Sequence, residues 1–312
     1  MCIYRNSIFE TPEFLVYTFH SITVVELPIH ILGAYIILYR TPKEMKSVKN
    51  TMLNLHFWSA VLDFTYSMCV SPYVLLPMGS GIGMGLLSYL AIFDTWVESY
   101  LCLINVAVVS VGVLMFFENR YDTLVIGLNR SDHRNKFRIF YFGLNYLLSI
   151  TFLAPSFMQL PEPSVGVEHA RKNLYCLPSV VFENPRFFTI AIDVTLLANS
   201  IAFYSGLMFI QLGFFITLTI HYLAKSPAMS AQTRKLQKKF FLALCIQISV
   251  PLIVLFVPMF YVIFAFWAQY FNMALNNIVF LCIAVHGLFS TIVMLLIHKP
   301  YRTAAIEIIS RV

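Results

Sequence analysis

Residues 234–267 read RKLQKKFFLALCIQISVPLIVLFVPMFYVIFAFW. Four basic residues (Arg234, Lys235, Lys238 and Lys239) lead into 28 residues, Phe240–Trp267, that contain no Asp, Glu, Lys or Arg. A helix needs about 20 mainly apolar residues to cross the hydrocarbon core of a bilayer. The run is too long and too continuously apolar for a barrel strand, whose lipid-facing and inward-facing residues alternate. A helix also satisfies its own backbone polar groups, as hydrocarbon requires. The stretch therefore predicts a transmembrane helix with a basic end.

Six more stretches qualify: Phe14–Tyr39, Thr51–Pro77, Leu86–Phe117, Ile139–Met158, Leu197–Leu223 and Ala274–Ile297. The expected fold is an all-α polytopic membrane protein, a seven-transmembrane helix bundle spanning 14–297 between tails 1–13 and 298–312. Composition agrees. Hydrophobic residues make up 59% of the 312 and charged residues only 12%, about half the roughly 25% of a soluble domain. Too few charges remain to cover a large soluble unit. Residues 1–13 hold no cleavable leader pattern, so the first span reads as a signal anchor.

The connections alternate in charge. Segments 40–50, 118–138, 225–239 and 298–312 carry 17 of the 21 Lys and Arg; only Arg5, Arg171, Lys172 and Arg186 lie in the others. Excess Lys and Arg mark the cytosolic side, which predicts an extracellular amino terminus and a cytosolic carboxyl terminus. The one Asn-x-Ser/Thr sequon, Asn129-Arg130-Ser131, falls on the cytosolic side, where no glycan is expected. Segment 159–196 carries Pro161, Pro163, Pro178 and Pro185 and is expected to be an irregular lid without helix. Prolines at 28, 72, 155, 251 and 258 interrupt spans, and two of them are expected to bend the sixth.

Ionisable groups inside a bilayer are functional candidates. Glu26, Asp63 and His286 each lie roughly 18–20 Å above the cytosolic end of their helices, at 1.5 Å of rise per residue. Asn105 reaches a similar level. The four are expected to form one polar layer, either a switch or static packing. His20, His30 and His56 read as scattered packed groups. Asp94 and Glu98, four apart on the third span, share a face near its outer end. No nucleophile elbow, zinc-protease helix, P-loop or Cys/His metal spacing occurs. No enzyme, metal, cofactor or nucleic-acid partner is expected.

The third span ends Phe117-Glu118-Asn119-Arg120-Tyr121. The first carries Glu26-Leu27-Pro28-Ile29-His30 and ends Tyr39-Arg40-Thr41-Pro42-Lys43-Glu44-Met45. The second runs Asn54-Leu55-His56-Phe57-Trp58 to Asp63 and then Ser71-Pro72-Tyr73, and the seventh ends His298-Lys299-Pro300-Tyr301-Arg302. In order and spacing these resemble the nematode serpentine chemoreceptors, class H (Srh), of the G-protein-coupled receptor superfamily, over nearly the whole chain. The resemblance implies an odorant or pheromone receptor in the plasma membrane of a sensory cilium, acting through a heterotrimeric G protein. It implies coupling roles for Glu118, Arg120 and Tyr121, with Arg134, Lys235 and Arg302 on the same edge. Asn119 separates the acid from the Arg, unlike the usual tripeptide of many seven-helix receptors. Cys102 lies well inside the membrane, so the usual outer bridge is absent, and Cys176 has Cys2 as its one obvious outer partner.

Aromatic residues dominate the outer halves of spans 3, 5, 6 and 7. Tyr100, Phe203, Tyr204, Phe260, Tyr261, Phe264 and Phe266 are read as a mostly apolar pocket for a small molecule. Glu98, if it faces that pocket, would favour a cationic amine instead. The alternative function is a seven-helix ligand-gated channel or proton-coupled transporter, with a relay through Glu26, Asp63 and His286.

Overall fold

The computed structural model describes residues 4–5, 7–126, 131–225 and 230–310. The chain folds as α1 (Pro12–Tyr39), α2 (Lys46–Phe64), strands β1 (Pro72–Leu75) and β2 (Ser80–Gly83), α3 (Leu86–Tyr89), α4 (Thr95–Tyr121), α5 (Asp132–Thr151), α6 (Ala154–Phe157), α7 (Pro163–Asn173), α8 (Ser179–Phe182), β3 (Phe187–Thr189), α9 (Thr195–Lys225), α10 (Ala231–Ala268), α11 (Met273–Ala284), α12 (His286–Ile297) and α13 (Lys299–Ile309). Among the described residues five single helices are long and apolar enough to cross a membrane, and the bent pair α11–α12 makes a sixth. The seventh helix of the bundle is α2, continued by a π turn over Thr65–Cys69.

Local chemistry sets the helix ends. Thr11 caps α1 by accepting from the Phe14 N–H, and Pro12 occupies the first position, where no amide is needed. Ser131, Ser230 and Asn272 cap α5, α10 and α11 in the same way. At the centre stands α4, packed against α2, α5 and α9. Of its apolar window 61% is buried, against 22–33% in the other four single spans. Those four present one side to lipid.

Several boundaries depart from the sequence reading. The second span does not run helical to Pro77: its outer end turns through the π segment and becomes β1, which Pro72 opens. The third span starts at Thr95, because Leu86–Tyr89 is a separate turn. Segment 159–196 is not irregular. It holds the 11-residue helix α7, begun by Pro163, the short turn α8 and strand β3. Proline at the first helical turn costs nothing, which is why its presence did not break the helix. The three strands form one antiparallel sheet in the order β1-β2-β3, with Leu75 opposite Ser80 and Ser80 opposite Thr189. This sheet and α7 lie on the face that bears the amino terminus, hereafter the lid face. Residues 298–310 are not merely a tail but contain helix α13 on the opposite, basic face.

One helix break falls where no proline stands. Helix α10 continues through both Pro251 and Pro258. The seventh helix instead bends by 44° at Val285, in a stretch without proline.

Candidate functional site

Two apolar chambers lie between the helices under the lid. The upper, of about 70 Å³, is walled by the sheet, the π turn, α4, α9, α10 and α11. The lower, of about 60 Å³, lies between α4, α9, α10 and α11, with Phe152 and Leu153 at its side. Among the described residues no Asp, Glu, Lys, Arg or His lines either one. Of the lining hydroxyls, that of Ser80 is engaged with Thr189 at 2.9 Å and that of Tyr204 with the Ala107 carbonyl at 3.0 Å.

The structure redistributes the residues expected to line a pocket. Tyr204 and Phe266 do line the chambers. Phe203, Phe260 and Phe264 do not: they are 69%, 60% and 53% exposed and face outward from the bundle, whereas Tyr204 is 4% exposed. Tyr100 turns to the α5–α6 side, with its hydroxyl donating to the Ile150 carbonyl and its ring edge-on to Phe157. Tyr261 hydrogen-bonds the Asn276 side chain at 2.7 Å and lines neither chamber. Asp94 is exposed while Glu98 is fully buried, so the pair has no shared environment. Glu98 accepts from the Ser88 hydroxyl and sits 3.4 Å from the Arg186 guanidinium. Arg186 also donates to the carbonyls of Ser88 and Phe93. That carboxylate is a strut neutralised within the lid, and no charge is left for an amine.

The lid is pinned at several points. The Asn276 amide meets the Val74 carbonyl of β1 and that of Leu76 just after it, the Tyr73 hydroxyl donates to the Glu10 carbonyl at 2.8 Å, and Asn277 donates to the Phe9 carbonyl at 2.8 Å. Cys176 is disulfide-bonded, while Cys69, Cys102, Cys245 and Cys282 are free. Cys2 lies outside the described residues, as does Asn129 of the sequon.

Below the chambers is a buried polar layer. Asp63 accepts from the backbone N–H groups of Gly287 (2.8 Å) and Leu288 (2.6 Å), and the His30 Nε2 lies 3.2 Å from its second oxygen. The bend at Val285 leaves the first amides of α12 without helical acceptors. A carboxylate from α2 supplies them, so Asp63 caps a helix remote in sequence. Close approach is needed here: a Cβ on Gly287 would stand 2.6 Å from the Ser59 carbonyl oxygen and 2.8 Å from Asp63. Thr291 lies 3.3 Å from the Nδ1 atoms of both His30 and His56, and His56 Nε2 donates to the His30 carbonyl at 3.0 Å. Glu26 accepts from the Ser67 hydroxyl, which itself accepts from Thr23 at 2.8 Å. His286 is buried at the start of α12, its Nδ1 without a partner. Asn105 does not join this layer; it donates to Thr65 at 3.2 Å. Nor are the histidines scattered, since the rings of His30 and His56 are 5.4 Å apart.

On the basic face two networks diverge from the end of α4. Glu118 and Asp122 turn to α5 and form a closed ionic square with Arg134 and Arg138, at N–O distances of 2.7–3.2 Å. Arg120 turns the other way. Its guanidinium donates to Gln237 of α10 and lies 4.8 Å from the Phe240 ring centroid. It is 4% exposed, and its Nε has no partner. Tyr121 packs on Phe215. The acid expected to restrain Arg120 therefore does not touch it, and Arg134 is an ion-pair member instead of a free edge. Lys235 is exposed in a basic groove with Arg234, Lys238 and Lys239. Arg302 is exposed on α13 and donates to the Leu296 carbonyl at 3.1 Å. Just before α13, burial pushes the His298 imidazole down to about 4; the neutral ring donates through Nε2 to Gln247 at 2.7 Å.

Sequence reasoning passed over His30, Thr291, Asp122, Arg138 and Gln237. A signal existed for most of them. Glu26 and His30, Glu118 and Asp122, and Arg134 and Arg138 are each spaced i,i+4, which puts both members on one helix face.

A polytopic helical bundle with an uncharged internal space under a lid, and a basic face opposite, defines a multi-pass membrane protein built around a buried apolar site. The chain belongs to the family described as serpentine type 7TM GPCR chemoreceptor Srh, whose model matches residues 10–311. It is 27% identical over 309 residues to serpentine receptor class H-72 of Caenorhabditis elegans, covering 93% of this chain and 84% of that protein. Membership makes the chain a receptor of the serpentine chemoreceptor type and accounts for all seven helices of the bundle.

Proposed function

We propose that this receptor binds a small, uncharged, mostly apolar molecule in the chambers under the lid and activates a heterotrimeric G protein from its basic face. The observation that carries the reading is the wall of the chambers, which is apolar and free of charged side chains while the nearest carboxylate, Glu98, is already paired with Arg186. At the opposite end, Arg120 is held to α10 by one side-chain hydrogen bond, to Gln237, and by the Phe240 ring, an arrangement that a shift of α10 would release. Ligand free energy acts only through its difference between the closed and open arrangements. Purified receptor reconstituted with Gα is expected to show ligand-evoked nucleotide exchange and no ionic current. Current without exchange would favour the channel reading.

The lid face is extracellular and the basic face cytosolic in this proposal, as the 17-to-4 division of Lys and Arg requires. The protein then resides in the plasma membrane, and by family in a sensory cilium. Epitope tags test the orientation. An amino-terminal tag is expected to stain intact cells and a carboxyl-terminal tag only permeabilised ones; the reverse pattern would overturn it.

A further inference from the structure

Each chamber alone is too small for an odorant-sized molecule. A dry cavity of about 150 Å³ is what accommodates benzene, and these measure about 70 and about 60 Å³, so that even together they take a larger molecule only if the walls between them part. They are stacked end to end along the bundle. On α4 the lining runs from Ser99 to Ser110, on α9 from Leu197 to Met208, and on α10, in the opposite chain direction, from Phe266 to Leu255. Each interval is eleven residues, or about 16 Å of helical rise. The space is tall and narrow.

Five residues line both chambers and form the neck between them: Tyr66, Leu103, Ile201, Val262 and Phe280. Each comes from a different helix. Tyr66 and Phe280 are the two large rings, stacked with centroids 6.3 Å apart and planes at 15°. Neither stands on a long continuous helix. Tyr66 lies in the π turn that ends the second helix, and Phe280 in α11, above the 44° bend. The other three stand on long continuous helices. The ring pair is therefore the part of the neck that can yield.

The lower end carries the recognition chemistry. Ser110 and Tyr204 both direct their hydroxyl protons at the Ala107 carbonyl, at 2.6 and 3.0 Å, and lie 3.2 Å from each other. Their protons are occupied and their oxygens retain lone pairs, so the pair accepts a hydrogen bond. A donor end group fits at that pair. We infer that the ligand is a slim, unbranched aliphatic alcohol that places its hydroxyl at Ser110 and Tyr204 and its chain through both chambers at once, parting the Tyr66–Phe280 stack.

This rests on the proposal that the chambers are the ligand site, and the test separates the two. Purified receptor in lipid nanodiscs is photolabelled with two dodecanol probes, one with a mid-chain diazirine and one with the diazirine at the far end. The mid-chain probe is expected to label Tyr66 or Phe280, and the terminal probe the sheet-side wall of the upper chamber. 1-Decanol is expected to compete at least tenfold better than bulky 1-adamantanol. Phe280→Ala, which removes half of the stack, is expected to raise 1-decanol affinity by about two- to tenfold, the scale of an aromatic pair. Ser205→Leu narrows the lower chamber without touching the neck and is expected to weaken 1-decanol competition by tenfold or more. Labelling confined to one chamber, or equal competition by both alcohols, overturns the two-chamber inference and leaves the site standing. Absence of saturable labelling at every lining residue overturns both.

Discussion

Arg120→Ala is expected to abolish ligand-evoked nucleotide exchange while leaving surface expression near normal. Gln237→Leu is expected to do the opposite and raise basal exchange. Both follow from one geometry. The Arg120 guanidinium is buried at the end of α4, and its side-chain hydrogen bond goes to Gln237, in the first part of α10. A hydrogen bond to a charged group contributes about 1.5–3 kcal/mol. Removing its acceptor shifts a closed-to-open equilibrium by roughly ten- to hundredfold if the contact exists only in the closed form. Residual attraction to the Phe240 face, about 0.5–2 kcal/mol, reduces that shift. Exchange on purified Gα, normalised to receptor at the surface, measures both effects. Unaltered basal activity in Gln237→Leu would remove α10 as the restraint. Unaltered evoked activity in Arg120→Ala would remove Arg120 as the contact.

Asp63→Ala is expected to be the most destabilising single change in the polar layer. It strands two buried amides, those of Gly287 and Leu288, at about 1–3 kcal/mol each. The apparent melting temperature of the purified protein is expected to fall by roughly ten degrees, at a few degrees per kcal/mol. Asn105→Ala breaks one bond to Thr65, outside the layer, and is expected to cost far less. Hydrogen exchange gives the specific readout. Amides 287 and 288 are expected to exchange faster in Asp63→Ala, whereas a general loss of packing would speed the whole bundle. Unchanged protection at those two amides would show that Asp63 does not cap α12.

Much of the bundle was legible because a bilayer imposes length and apolarity on each crossing. The first, fifth and sixth spans lie within their helices, with ends differing by at most two residues except at the start of the sixth, whose helix begins nine residues earlier. What stayed hidden has two physical causes. The first is that hydrocarbon is as apolar as a protein interior, so adjacent Phe203 and Tyr204 look alike in sequence although one faces outward and the other a chamber. The second is that irregular backbone leaves an apolar run intact. The π turn at 65–69, the strand that follows it and the bend at Val285 all occur inside stretches that read as continuous spans. For the site, depth along each helix brought Glu26, Asp63 and His286 to one level. It could not show that Asp63 would bind backbone, that Asn105 would point elsewhere, or that Glu98 would be taken by a loop arginine 88 residues away.

The two networks at the end of α4 differ in how they meet the surrounding electrolyte. Glu118 and Asp122 are buried beneath their arginines, whereas Lys235, Lys238 and Lys239 stand in solvent. Dissolved ions screen exposed charges beyond about 8 Å at physiological ionic strength and act far less on buried pairs. Added salt therefore strips the lysine groove of its attraction for acidic surfaces while the α4–α5 corner keeps its shape. The long-range pull on a partner and the rigidity of the surface it meets are thus set independently, the first by the medium and the second by the fold.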